Sequence, residues 1–160
     1  PAPDLDPDVA AQATEIGLRV AGELGVVGVL AVELFQVPGG VLVNELAMRP
    51  HHSGHWTIAG AVTSHVEQHP RAVLDLPLGD PRPRQRWAVM VNVLGGRYED
   101  LYRSYLHVMA RDPGVKVHLY GKEVRPGRKV GHVTVCGDDL EDCRARARHA
   151  ADFITGLIDE

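Results

Sequence analysis

Cysteine is scarce: the 160 residues hold two, Cys136 and Cys143. Two thiols cannot build a four-thiolate metal site or a disulfide framework. A basic excess is also missing, since 17 Lys and Arg face 21 Asp and Glu and the formal net charge is −4. That balance excludes a surface given over to nucleic acid or anionic lipid, so any basic site must be local. Aromatic residues interleaved with a basic stripe, the platform for single-stranded nucleic acid, are absent as well. No apolar run is long enough to span a bilayer and no signal-peptide pattern is present, so the expectation is a reducing, cytosolic protein with neither nucleic acid nor membrane as partner. There is no internal repeat, no low-complexity tract and no glycine-rich phosphate loop. The chain opens on Pro1 without an initiator methionine.

Hydrophobic residues make up 44% and charged residues 24%, the proportions of a globular protein. The length allows one well-buried domain, or a domain with a small lobe. Pro1–Asp6 reads as an extended lead-in. Asp6 before Pro7 is an N-cap followed by proline at the first helical position, and Val9, Ala13, Ile16, Val20 and Leu24 recur at helical spacing, so a helix should end near Gly25. Residues 26–35 and 41–47 are apolar and β-branched around Val37-Pro38-Gly39-Gly40, which predicts a β-hairpin. Residues 48–60 read as a loop. A helix is expected from Ala61 to Leu74 with Pro70 kinking or restarting it. Pro77, Gly79, Pro81 and Pro83 mark residues 76–86 as a linker or crossover. Beyond it follow a strand (87–94), a helix (99–110), two strands (115–120 and 130–136) and a closing helix (140–158). The expected fold class is α+β, with one structural part over residues 1–80 and a small β-α-β-β-α lobe over 81–160.

Glu33 and Glu45 each interrupt an apolar strand. A hairpin centred on Gly39 sets them opposite one another, where like charges about 4.5–5.5 Å apart at Cβ are destabilising without a cation or a shared proton. Mg²⁺ with phosphate oxygens suits two carboxylates better than it suits thiolates or imidazoles; the alternative is that both side chains are solvated at a sheet edge. Next come Arg49, His51, His52, Ser53 and His55. This set suits a phosphorylated substrate, with Arg binding phosphate or carboxylate and His shuttling protons. Zinc on His51 and His55 is a competing reading, but the glutamate that zinc proteases place after the first histidine is missing, and His65 and His69 are expected to be solvated or capping. Lys122, Arg125, Arg128 and Lys129 surround Gly127 in a basic turn. It is either a solvated hairpin tip or a phosphate clamp using Lys122 and Arg128.

These residues fall in longer motifs: Val27–Glu33, Asn44–Ala47, Arg49-Pro50-His51, Ser53–Thr57, Gly60–Ser64, Glu67-Gln68-His69, Leu76–Gly79, Tyr120-Gly121-Lys122 and Arg125–Lys129 with Gly131-His132. Together they resemble the C-terminal part of the N5-carboxyaminoimidazole ribonucleotide synthase family, the ATP-grasp carboxylases of purine biosynthesis. The resemblance implies the second part of an ATP-grasp domain, an antiparallel sheet with helices, over residues 1–80 and the small C-terminal lobe over 81–160. It implies an ATP-dependent carbon–nitrogen ligase in which ATP phosphorylates bicarbonate to carboxyphosphate and the amine of 5-aminoimidazole ribonucleotide captures its carboxyl carbon. It further implies ATP and Mg²⁺ as cofactors, with Glu33 and Glu45 holding the metal and Asn44 with Glu45 at the ATP phosphates. Arg49, His51, His52 and Ser53 match the substrate loop, and Lys122 and Arg128 match the clamp on the ribonucleotide phosphate. Arg49 is the candidate for steadying carboxyphosphate, and His51 for orienting the amine or taking its proton. Met48 stands where the family usually has proline, and His52 where it usually has asparagine, so one amide hydrogen bond would pass to an imidazole. The family's N-terminal domain and early ATP-grasp segments have no counterpart here, so the expectation is an incomplete C-terminal fragment, inactive alone, of a protein that is a homodimer at full length. A stand-alone, non-catalytic module binding a phosphorylated small molecule is the alternative.

Overall fold

The computed structural model describes residues 5–159. Most of the expected lead-in, residues 1–4, lies outside them. The chain packs as two compact units: the described residues up to His55 with His65–Gly79, and Trp56–Ser64 with the described residues from Asp80 onward. The sequence draws one boundary at residue 80, whereas the packing also sends residues 56–64 to the second unit. Among the described residues no helix is long and apolar enough to cross a membrane.

In the first unit, helix α1 runs Pro7–Glu23, and the Asp6 carboxylate caps it by accepting from the Asp8 N–H at 2.9 Å. Strands β1 (Ala31–Val37) and β2 (Gly40–Ala47) form an antiparallel hairpin. The first strand starts later than its apolar run predicts. Gly28 has φ +117°, and a Cβ there would stand 2.7 Å from His69 Nδ1. That nitrogen accepts the Val29 N–H at 3.1 Å, so a helix side chain takes the backbone donor that a longer strand would have used. Helix α3 (His65–Val73) begins after the expected Ala61 and runs through Pro70. Its Gln68 amide both donates to the Gly79 carbonyl (2.7 Å) and accepts the Gly79 N–H (2.9 Å).

In the second unit, β3 (Trp87–Leu94), β4 (Lys116–Leu119) and β5 (Lys129–Gly137) form an antiparallel sheet in the order β3-β5-β4. Val89, Val91 and Val93 pair with Val135, Val133 and Gly131, so one face of the sheet is aliphatic. Helix α5 (Leu140–Thr155) covers this core with Cys143, Ala147, Ala150, Ala151 and Ile154, one stripe at helical spacing. Asp139 caps its start by accepting from the Asp142 N–H at 2.7 Å. Gly156, at φ +74°, ends it in a Schellman motif, with Gly156 N–H on the Phe153 carbonyl and Leu157 N–H on that of Asp152. The expected helix at 99–110 is a 3₁₀ turn (Leu101–Ser104) followed by α4 (Tyr105–Arg111). The expected loop at 48–60 contains a 3₁₀ turn (His52–Gly54) in the first unit and the short helix α2 (Thr57–Gly60) in the second.

The stretch read as a linker is tied down. Val62 and Thr63 donate to the carbonyls of Arg82 and Asp80, each at 2.9 Å, and Arg84 N–H returns to Gly60 at 2.7 Å. Proline and glycine there set turns and give no free tether.

Candidate active site

The hairpin turn and a β-bulge together build the acidic end of the first unit. Pro38 and Gly39 form a two-residue connection between the paired Val37 and Gly40, with Gly39 at φ +87°, the pattern that favours proline then glycine at the turn's centre. Counting back from that turn, Leu34 faces Val43, and Glu33 would face Asn44. Glu33 instead pairs with Glu45, because Asn44 is an extra residue bulged out of β2. A bulge re-aims the side chains on its own strand. Here the Asn44 amide turns onto Glu33, its Nδ2 donating to Oε1 at 2.8 Å.

The like-charge problem is therefore met within the protein. Asn44 hydrogen-bonds Glu33, and His51 Nε2 lies 3.2 Å from Glu45 Oε1. The Glu45 side chain is also 54% exposed, so water screens what remains. Each carboxylate thus has one protein partner of its own.

His51 is 3% exposed and is the loop's anchor. Its Nδ1 accepts the Ser53 N–H at 3.4 Å and lies 2.9 Å from Ser53 Oγ, capping the 3₁₀ turn. The other ring nitrogen, Nε2, faces Glu45. The His51 carbonyl lies 3.2 Å from His65 Nε2. Burial lowers the basicity of His65, more than that backbone hydrogen bond raises it. Gly54 is required beneath it, since a Cβ there would meet the His65 ring at 2.8 Å.

The His52 ring lies 4.0 Å from that of His51, and one ligand atom each from Glu33, His51 and His52 falls within 4.8 Å of the others. Glu33, Asn44, Glu45, His51, His52 and Ser53 thus come together in one unit. Arg49 sits on the same loop, exposed, with Nη1 donating to the Pro50 carbonyl at 3.1 Å. The His51–His55 zinc pair does not form the metal-capable group. His55 stands beside His65, at 5.6 Å between ring centres. Of the two roles expected for His65 and His69, solvated or capping, both take the one that engages backbone groups. Their bracing partners lie 14 and 40 residues away, which periodicity does not reveal.

The basic turn lies in the second unit. Arg125 is paired with Glu123 at 2.7 Å, Arg128 Nη1 donates to the Glu123 carbonyl at 3.3 Å, and Lys122 Nζ is 5.6 Å from the Tyr120 ring centre. Lys122 also borders a cavity of about 260 Å³. Gly95 holds the turn in place: its N–H donates to the Arg128 carbonyl (2.7 Å) and its carbonyl accepts from Gly127 (2.9 Å). A Cβ at Gly95 would come within 2.1 Å of the Arg125 carbonyl oxygen. Gly95→Ala should therefore displace the turn and destabilise the second unit by about 1–3 kcal/mol. A urea midpoint unchanged from the parent would contradict this packing.

Residues 2–66 match the ATP-grasp domain model, and residues 88–146 match the phosphoribosylaminoimidazole carboxylase C-terminal domain. The class is thus an ATP-grasp protein carrying the carboxylase C-terminal domain. The N5-carboxyaminoimidazole ribonucleotide synthase of Mycobacterium tuberculosis is 54% identical over 159 residues, covering 97% of this chain and 37% of its own length. The synthetase structure from Thermus thermophilus aligns with a TM-score of 0.76 at 42% identity, covering 100% of this chain and 41% of its own. The synthase from Aspergillus clavatus, solved in complex with ADP and 5-aminoimidazole ribonucleotide, aligns at 0.81 with 30% identity, covering 96% of this chain and 42% of its own. The chain belongs to the N5-carboxyaminoimidazole ribonucleotide synthase family, and it spans well under half the length of these relatives.

Proposed function

We propose that this chain supplies the metal carboxylates and the ribonucleotide-binding loops of an ATP-dependent ligase that carboxylates 5-aminoimidazole ribonucleotide with bicarbonate to N5-carboxyaminoimidazole ribonucleotide. The observation that carries the reading is the bulge that places Asn44 and Glu45 together opposite Glu33, beside the loop of Arg49 and His51. The relative solved with ADP and 5-aminoimidazole ribonucleotide supports the choice of ligands.

Two carboxylates and an amide are the hard oxygen donors that Mg²⁺ accepts, and a half-exposed Glu45 leaves room for waters and phosphate oxygens, so the residues fit the ion. Held by Glu33 and Glu45, Mg²⁺ would offset charge on the ATP phosphates during transfer to bicarbonate. Asn44 fixes the rotamer of Glu33. His51 orients Glu45 through Nε2 while Ser53 holds its other nitrogen. That arrangement makes His51 a positioning residue for Glu45 and a route for a proton between the loop and the carboxylate. In this reading the Arg49 guanidinium meets carboxyphosphate, and Lys122 with Arg128 takes the ribonucleotide phosphate. Residues 1–80 serve as the ATP-grasp part and 81–160 as the carboxylase lobe, in a cytosolic enzyme of purine synthesis that works as a homodimer.

The test is ADP release by a full-length synthase carrying these residues. It should require both bicarbonate and 5-aminoimidazole ribonucleotide for productive turnover and yield the carboxyamino product. Ribonucleotide binding without ATP turnover would favour a non-catalytic module instead.

A further inference from the structure

His107 on α4 and His149 on α5 face each other in the second unit with their Nε2 atoms 3.3 Å apart. That separation is within hydrogen-bond reach, and it also matches a second geometry. Two imidazole nitrogens bound to one tetrahedral zinc at about 2.0–2.1 Å are spaced by about 3.3–3.4 Å. The pair thus already holds the bite of a metal chelate.

The rings are held in place. Phe153, one turn beyond His149, stacks on His107 at 3.7 Å between centres with planes 20° apart, and lies 23° from the plane of His149. His149 rides on a helix whose neighbouring Ala147, Ala150 and Ala151 are in the core, so its backbone has little freedom. A cavity of about 590 Å³, lined by His149, Val108, Asp112 and Arg146 among others, adjoins the pair and has room for water. Two cations line that cavity, Arg111 and Arg146; Arg146 is compensated, donating to Asp112 twice and to Asp142 once, each at 2.9 Å.

We propose that His107 and His149 form a binding site for a borderline divalent cation of the zinc class, completed by water, that pins α4 to α5. Imidazole ligands select such ions over Mg²⁺. The site is separate from the Glu33–His51–His52 group, which belongs to the other unit.

The chain, freed of metal by chelation and carrying no histidine tag, would be titrated with Zn²⁺ by calorimetry and thermal unfolding. His107→Gln, His149→Gln and the double variant His51→Gln/His52→Gln would be treated alike. A one-to-one component should appear, weakened at least about tenfold by either single variant, since even losing a group that only hydrogen-bonds to a metal ligand costs that much. It should survive the double variant, and Zn²⁺ should raise the unfolding midpoint of the parent but not of His149→Gln. Independently of any variant, Co²⁺ should shift the Phe153 ring protons in NMR spectra. Zinc binding lost only in the His51/His52 variant, no binding at all, or Phe153 resonances untouched by Co²⁺ would each overturn the site.

Discussion

Glu45→Gln should reduce ATP turnover by a full-length synthase carrying these residues at least about a hundredfold, because a ligand of the ion itself costs more than the 10- to 100-fold of an outer-shell partner. The substitution keeps the size of the side chain and one oxygen facing His51 Nε2, now 3.2 Å from Glu45 Oε1, so the loop should stay folded. What is lost is one of the two negative charges proposed to hold the cation. Binding of 5-aminoimidazole ribonucleotide should change little, since Glu45 is assigned to the phosphate end of the nucleotide. Phosphate release measured against Mg²⁺ concentration separates the two sides, because a metal ligand raises the Mg²⁺ requirement as well as lowering the rate. Glu33→Gln should follow the same pattern, and unchanged turnover in both variants would overturn the assignment of this pair. Equal loss of ribonucleotide affinity would point instead to collapse of the loop anchored by His51.

The opposition of Glu33 and Glu45 was legible in the sequence, but the route to it was not. A hairpin centred on Gly39 gives the right pairing, while the actual turn at Pro38-Gly39 alone would set Glu33 against Asn44. The bulge restores the pairing, and nothing in the local alternation marks Asn44 as the extra residue, because a bulge is a property of two strands together. Strand β3 was read with its ends in place because Trp87–Leu94 combines β propensity with flanking breakers. α5 was legible from its start at Leu140, but the reading carried it to residue 158, past Thr155, where Gly156 at φ +74° turns the chain out of the helix. Helix α2 was missed, being one turn long, and residues 76–86 were taken for a tether because their partners Gly60–Thr63 lie about twenty positions upstream. For the same reason His65 and His69 gave no sign of bracing the loop and the approach to β1. Their roles come from backbone groups brought near by folding, not from their own spacing.

The Lys122→Ala/Arg128→Ala double variant should raise the dissociation constant for 5-aminoimidazole ribonucleotide at least about a hundredfold. Hydrogen bonds to charged groups contribute about 1.5–3 kcal/mol each, and the two losses should fall short of additive because both act on one phosphate. The fold should tolerate the change. Both side chains are exposed, and the turn is held by the backbone bonds of Gly95 to Arg128 and Gly127. Nucleotide affinity should be spared. Arg125→Ala supplies the internal comparison, since that guanidinium is already engaged by Glu123 at 2.7 Å and its loss should cost little. Raising ionic strength should weaken ribonucleotide binding by the parent more than by the double variant, because the charges that salt screens are those removed. If Arg125→Ala proved as damaging as the double variant, the turn would act through its general basicity; if nucleotide and ribonucleotide binding fell together, no dedicated clamp would exist. A selective loss, steep in salt and confined to Lys122 and Arg128, is what a phosphate site built from two exposed cations on a glycine-pinned turn requires.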